Sequence, residues 1–84
     1  TDDHILDYME VDASHAIYEV EVPEEWTGKT VGELDIRKRY NINILAVKSG
    51  GEFDITISQD TIFASNNKLL VLGEYKDLKR CFRI

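Results

Sequence analysis

The sequence predicts a small α+β domain in which helices pack on a mainly antiparallel β-sheet. Three observations support this class. Several segments of strand length are rich in β-branched residues, two segments have the apolar spacing of amphipathic helices, and a Gly-Gly pair separates two of the strand segments. With a short helix at the start, the predicted order is helix, strand, helix, strand, strand, strand, helix, which is typical of an α+β fold.

The N-terminal segment, residues 3–11, is predicted to form a short helix with Asp2 or Asp3 as its N-cap. The apolar and aromatic residues with roughly helical spacing are Ile5, Leu6, Tyr8 and Met9. We therefore assign residues 1–15 to an N-terminal helix and linker, and residues 16–84 to the domain itself.

The first strand is predicted over residues 16–22 and ends at Pro23, which cannot donate to a sheet. Alternation along this strand places Tyr18, Val20 and Val22 towards the core. The glutamates between them are expected to face water. The loop that follows contains the single tryptophan, Trp26, which is expected at the edge of the core.

A central helix is predicted over residues 30–41. Thr30 and Glu33 have the spacing of a capping box at its start, and Asn41 is a residue type that commonly ends helices. The apolar residues on its core side are Val31, Leu34 and Ile36.

The second half of the chain is predicted to contain three strands and a final helix. Gly50-Gly51 indicates a hairpin between the first two strands, and the continuous apolar run of the third predicts burial on both faces. The final helix has Leu78 and Phe82 four positions apart on one face. The predicted bounds are strands over 43–49, 52–57 and 68–73, an extended pairing segment over 61–64, and a helix over 74–83.

Composition excludes several classes of function. With 84 residues the chain suffices for one compact domain, and its net charge of −6 argues against duplex nucleic acid, which proteins bind by neutralising many phosphates. No apolar run approaches the roughly 20 residues that span a bilayer, so we expect no direct membrane insertion and a cytoplasmic location. A single cysteine, Cys81, fits a reducing compartment.

The sequence contains no recognisable catalytic or metal-binding pattern. His4 and His15 stand far apart, and neither has a cysteine or another histidine at ligand spacing. The adjacent Glu24 and Glu25 are better explained as solvated charges than as a catalytic pair. We therefore predict no enzyme activity, no metal and no cofactor.

The best candidate for a binding site is the basic run Arg37-Lys38-Arg39 at the end of the central helix. Cations there are also explained by favourable interaction with the helix dipole. An anion site is the alternative, because Asn43 follows across a helix-to-strand turn and an arginine fork suits phosphate. The apolar neighbours that would suit a nucleobase are Ile36 and Ile44.

From residue 16 to residue 83 the chain resembles the RCK C-terminal domain, also called the TrkA C-terminal domain. The resemblance is carried by the strand AIYEVEVP, by the segment TVGELDIRKRYNINILAVKSG and by EFDITISQDTIFASNNKLLVLG with the closing helix. Within the family, LDIRKRYNINILAVK is most similar to the cytosolic regulatory subunits of Ktr potassium-uptake systems. The resemblance implies that residues 1–15 come from a preceding regulatory lobe.

The resemblance also implies a homodimer that binds cyclic di-AMP at its twofold interface, within a higher oligomer of the full-length protein. Binding is expected to inhibit potassium uptake through an attached membrane potassium channel subunit. The ligand-binding residues it implies are Val31, Ile36, Arg37, Asn43, Ile44 and Gln59. Gln59 stands where family members often have a proline, and we expect its methylenes to lie against a base.

Two other functions remain open. A dimerisation or assembly module of a cation-transporter regulator would use the same apolar faces without binding a nucleotide, and the departure at Gln59 slightly favours it. A divalent-cation sensor would need oxygen ligands. The residues available for such a sensor are Asp12, His15, Glu19 and Glu21.

Overall fold

The chain folds into a five-stranded antiparallel sheet with short helices packed on it. The computed structural model describes residues 5–84. The sheet has the strand order β1-β2-β5-β3-β4, and every neighbouring pair is antiparallel, which confirms the predicted α+β class. The elements are β1 (Ile5–Glu10), β2 (His15–Glu21), a 3-10 turn (Glu24–Trp26), α1 (Val31–Leu34), α2 (Ile36–Tyr40), β3 (Asn43–Ser49), β4 (Glu52–Asp54), β5 (Lys68–Glu74) and α3 (Tyr75–Phe82).

The helix predicted over residues 3–11 is wrong for residues 5–10, which form the edge strand β1. A register shift between Ile5 and Asp7 interrupts the alternation along β1, and most of the strand is exposed. Because neither face carries a clear period of two, the apolar spacing resembles that of a helix. The N-caps assigned to Asp2 or Asp3, and His4, lie outside the described residues.

The helix predicted over residues 30–41 is divided into α1 and α2. Asp35 adopts left-handed backbone angles, with φ 52° and ψ 46°, and this ends α1 after one turn. The capping box is present as predicted: Glu33 N donates to Thr30 Oγ1 at 3.1 Å, and Thr30 N donates to Glu33 Oε1 at 2.8 Å. Asn41 is also left-handed and ends α2, as predicted.

Strand β4 ends at Asp54, three residues earlier than predicted. The amide N–H of Thr56 donates to Asp54 Oδ1 at 2.9 Å, and this local turn replaces the next ladder bonds. Ile55 is 79% exposed and Phe53 is 44% exposed, so the apolar residues of this segment do not form a buried face. The hairpin at Gly50-Gly51 is confirmed, and both glycines have positive φ, as a two-residue hairpin turn requires.

The extended segment predicted over residues 61–64 crosses the start of α1. Thr30 and Ile62 form an antiparallel bridge, flanked by hydrogen bonds from Val31 N to Thr61 O at 2.9 Å and from Phe63 N to Lys29 O at 3.0 Å. These bonds fix residues 58–63 beside α1.

The core lies between one face of the sheet and the helices. Trp26 is 3% exposed, and its ring lies 5.7 Å from those of Phe63 and Phe82. β5 is buried on one face only, because Leu70 and Leu72 stay partly exposed, so burial on both faces was a wrong prediction. The largest fully buried side chains are Phe63, Ile42, Leu69, Leu78, Val20 and Val71. No helix within residues 5–84 is long and apolar enough to cross a membrane.

Candidate functional site

An open pocket of about 380 Å³ lies where α1, α2, the start of β3 and residues 57–59 meet. We call it the α2–β3 pocket. All six residues predicted for the ligand site line it: Val31, Ile36, Arg37, Asn43, Ile44 and Gln59. Lys38, from the basic run considered as an anion site, also lines it, and the lining residues that were not predicted are Asp35, Ile42, Ile57 and Ser58.

The polar centre of the pocket is a direct contact between Arg37 and Asn43. Arg37 lies in α2 and Asn43 begins β3, and the left-handed turn at Asn41 reverses the chain between them. Arg37 Nε donates to Asn43 Oδ1 at 3.0 Å. This bond leaves both terminal nitrogens of the guanidinium and Asn43 Nδ2 as donors for a ligand. The contact orients the planar fork that suits a phosphate oxygen pair.

The charge of the lining favours an anion. Arg37 and Lys38 contribute two cations against the one carboxylate of Asp35. Within residues 5–84 no carboxylate forms a salt bridge with Arg37, so its charge is not neutralised there. Arg39 differs, since its guanidinium lies 5.3 Å from the Tyr40 ring centre and does not line the pocket. Arg37 and Lys38 therefore line the pocket and Arg39 does not, because three consecutive helical residues cannot share one face.

The apolar wall of the pocket stands beside these donors. Val31, Ile44 and Ile57 are half-buried, whereas Ile36 is 2% exposed and belongs mainly to the core. Ile57 was not predicted here, because the alternation in residues 52–57 assigned it to a strand. No other signal in its segment indicates a turn towards α2.

Gln59 reaches the rim of the pocket through contacts with α1. Gly32 N donates to the backbone oxygen of Gln59 at 2.9 Å, and the two segments are so close that a Cβ on Gly32 would lie 2.9 Å from Gln59 Oε1. Gly32 therefore permits the approach of the Gln59 loop to the helix. The sequence offered no signal for this role.

Two of the residues considered for cation sensing contact each other, and a third forms an ion pair with a lysine. Asp12 Oδ1 accepts hydrogen bonds from Ser14 N and His15 N, each at 2.8 Å, and His15 Nδ1 lies 2.9 Å from it. The backbone N–H of Ser14, followed by the His15 side chain, lowers the pKa of Asp12. Glu19 instead pairs with Lys48 at 3.6 Å. In the described part of the chain, no group of three potential ligands could hold a metal ion.

Comparison with known proteins identifies the family. The model of the TrkA-C domain matches residues 16–84. The Ktr system potassium uptake protein C of Bacillus subtilis (strain 168) is 32% identical over 77 residues, which are 92% of this chain and 35% of that protein. The chain thus spans about a third of the length of this relative.

Solved structures share the fold. The RCK C domain of the potassium transport protein KtrA, in complex with cyclic diadenosine monophosphate, has a TM-score of 0.76 and 35% identity, covering 82% of this chain and 81% of that one. An RCK_C domain dimer of S. agalactiae BusR in complex with c-di-AMP has a TM-score of 0.71 at 20% identity, covering 80% and 85%, and shares the fold. The resemblance found in the sequence is confirmed: the chain belongs to the TrkA-C (RCK_C) domain family.

Proposed function

We propose that this chain is the ligand-sensing domain of a regulator of bacterial potassium transport, and that it binds cyclic di-AMP in the α2–β3 pocket of a homodimer. In the full-length protein the domain belongs to a higher oligomer at the cytoplasmic side of a membrane potassium channel subunit. Ligand binding inhibits potassium uptake. Support comes from the Ktr relative and from the KtrA domain, which is 35% identical in sequence to this chain and was solved in complex with this nucleotide.

The observation that carries the proposal is the Arg37–Asn43 contact inside a pocket with an apolar wall. A nucleotide has an anionic phosphate next to a flat, largely apolar base. Arg37 and Asn43 supply donors for the phosphate, and Val31, Ile44 and Ile57 supply the surface for the base.

The symmetry of the ligand argues for a dimer. Cyclic di-AMP has two identical halves, and an isologous dimer presents the same residues twice around one axis. Each chain then contributes one Arg37 to one of the two phosphates. Because the pocket supplies cations locally, the net charge of −6 does not prevent anion binding.

Substitution of Arg37 tests the proposal. Arg37→Ala removes a charged donor from each phosphate, so we expect cyclic di-AMP affinity to fall by about 2–3 kcal/mol, roughly 30- to 150-fold. Isothermal titration calorimetry on the whole chain measures this loss. Arg39→Ala is the matched control, because Arg39 is the adjacent basic residue and lies outside the pocket lining.

The assembly module is the competing function that the same experiment distinguishes. A folded wild-type chain that sediments as a dimer and shows no heat with cyclic di-AMP would contradict the proposal and select that alternative. Equal losses in Arg37→Ala and Arg39→Ala would contradict the assignment of the pocket, because they would indicate a non-specific effect of charge.

A further inference from the structure

We infer that Gln59 recognises the N6–N7 edge of an adenine in the α2–β3 pocket and so selects adenine over guanine. The inference rests on the proposed function, since it concerns the base of a nucleotide bound in that pocket. Methylene contact with a base would not distinguish adenine from guanine. The inference therefore gives the amide group of Gln59 a role in specificity.

The backbone of Gln59 is held on both sides. Gly32 N donates to its carbonyl oxygen at 2.9 Å. The turn around it is closed by hydrogen bonds from Ser58 N to Thr61 Oγ1 at 3.0 Å and from Thr61 N to Ser58 O at 3.2 Å. The starting point of the side chain at the pocket rim is therefore fixed, which lowers the entropy lost when its amide binds a ligand.

The side chain of Gln59 lies close against α1. A Cβ built on Gly32 would lie 2.9 Å from Gln59 Oε1 and 3.2 Å from Gln59 Cβ. The side chain of Gln59 therefore packs along the helix surface at this glycine. Gln59 lines the pocket, and its side-chain amide forms no hydrogen bond with another side chain or backbone group of residues 5–84. Both its donor and its acceptor are available to a bound base.

The other polar side chains of the pocket lack a free amide. Arg37 and Lys38 only donate and the Asp35 carboxylate only accepts, while the amide oxygen of Asn43 already accepts from Arg37. The Ser58 hydroxyl oxygen already accepts from Asp60 N at 3.2 Å, and a single hydroxyl cannot bind two neighbouring base atoms as an amide does. Gln59 offers a donor and an acceptor side by side.

This pair of groups complements adenine. Adenine presents the N6 amine as a donor beside N7 as an acceptor, and a glutamine amide binds both at once. Guanine presents O6 and N7, two acceptors, on the same edge, so the amide oxygen of Gln59 would face O6 without a hydrogen bond. In its best orientation the amide thus forms two hydrogen bonds with adenine and at most one with guanine, which favours adenine.

Calorimetry with three cyclic dinucleotides tests the inference. Cyclic di-AMP, its 7-deaza analogue and cyclic di-GMP are titrated into wild type and Gln59→Leu, which keeps the apolar stem and removes the amide. We expect Gln59→Leu to weaken cyclic di-AMP about tenfold and to weaken cyclic di-GMP less, because guanine loses at most one hydrogen bond where adenine loses two. The 7-deaza substitution, which removes the N7 acceptor, should weaken binding to wild type but have little further effect in Gln59→Leu.

Thr56→Val is the matched control, because it removes a polar group from an exposed residue of the same loop outside the pocket lining. It should behave like wild type with all three ligands. If the 7-deaza substitution costs the same in wild type and in Gln59→Leu, the inference is overturned while the proposed function stands. If wild type binds no cyclic dinucleotide, both are overturned.

Discussion

Asn41 and Arg83 both have a φ of 59° at the end of a helix. Asparagine tolerates this left-handed conformation well, whereas a long side chain costs about 1–2 kcal/mol there. Asn41 also donates from Nδ2 to Asp77 Oδ2 at 3.3 Å. Arg83 has a weaker contact, a 3.8 Å ion pair with Glu25 between exposed side chains. The same backbone angle is therefore stabilised at one helix end and strained at the other.

Arg83→Gly should raise the free energy of unfolding by about 0.5 kcal/mol, because relief of the left-handed strain exceeds the extra chain entropy of glycine. Urea denaturation followed by circular dichroism measures the change. Asn41→Gly is the matched control, and we expect no gain there, because it removes the bond to Asp77. A similar rise in the free energy of unfolding in both variants would contradict the prediction, because it would show that Asn41 is strained as much as Arg83.

Among the elements, the N-terminus of α1 depends on a capping box that the sequence predicted. Thr30→Ala removes the acceptor for Glu33 N and should lower the free energy of unfolding by about 1 kcal/mol. Thr27→Ala serves as the control, since Thr27 is exposed and caps no helix N-terminus. The two urea midpoints should separate, and coincident midpoints would show that the box does not stabilise the folded chain.

Elements in which the pattern of apolar residues matches the pattern of burial could be predicted from the sequence. β3 has the predicted bounds, 43–49, and α3 differs by one residue at each end. β1 could not be predicted, because an exposed edge strand with a register shift loses its alternation. Nor could the break at Asp35, because nothing in its neighbours requires a left-handed aspartate.

The site, too, could be predicted only where a local sequence pattern indicates its residues. Arg37 and Asn43 could be paired from the sequence, since one turn joins their elements. The contributions of Gly32 and Ile57 depend on where residues 57–61 cross α1. That crossing is set by long-range hydrogen bonds such as Val31 N to Thr61 O, which no local pattern records.

At the scale of the whole molecule, small size makes ligand binding a large part of stability. A domain of 84 residues buries a modest fraction of its surface, so its unfolding free energy is small. Cyclic di-AMP at one hundred times its Kd should add about 2.7 kcal/mol to the folded state, which raises the midpoint of thermal unfolding by at least several degrees. ATP and cyclic di-GMP at the same concentration should raise it far less.

The ratio of ligand to protein then distinguishes a twofold site from two separate ones. Because each half of cyclic di-AMP meets one chain in the proposed dimer, calorimetry should give one ligand for every two chains. Sedimentation with saturating ligand should give the mass of a dimer, and Arg37→Ala should lose the thermal shift while it keeps the wild-type fold. One ligand per chain would contradict the shared site, because each α2–β3 pocket would then bind a whole dinucleotide by itself.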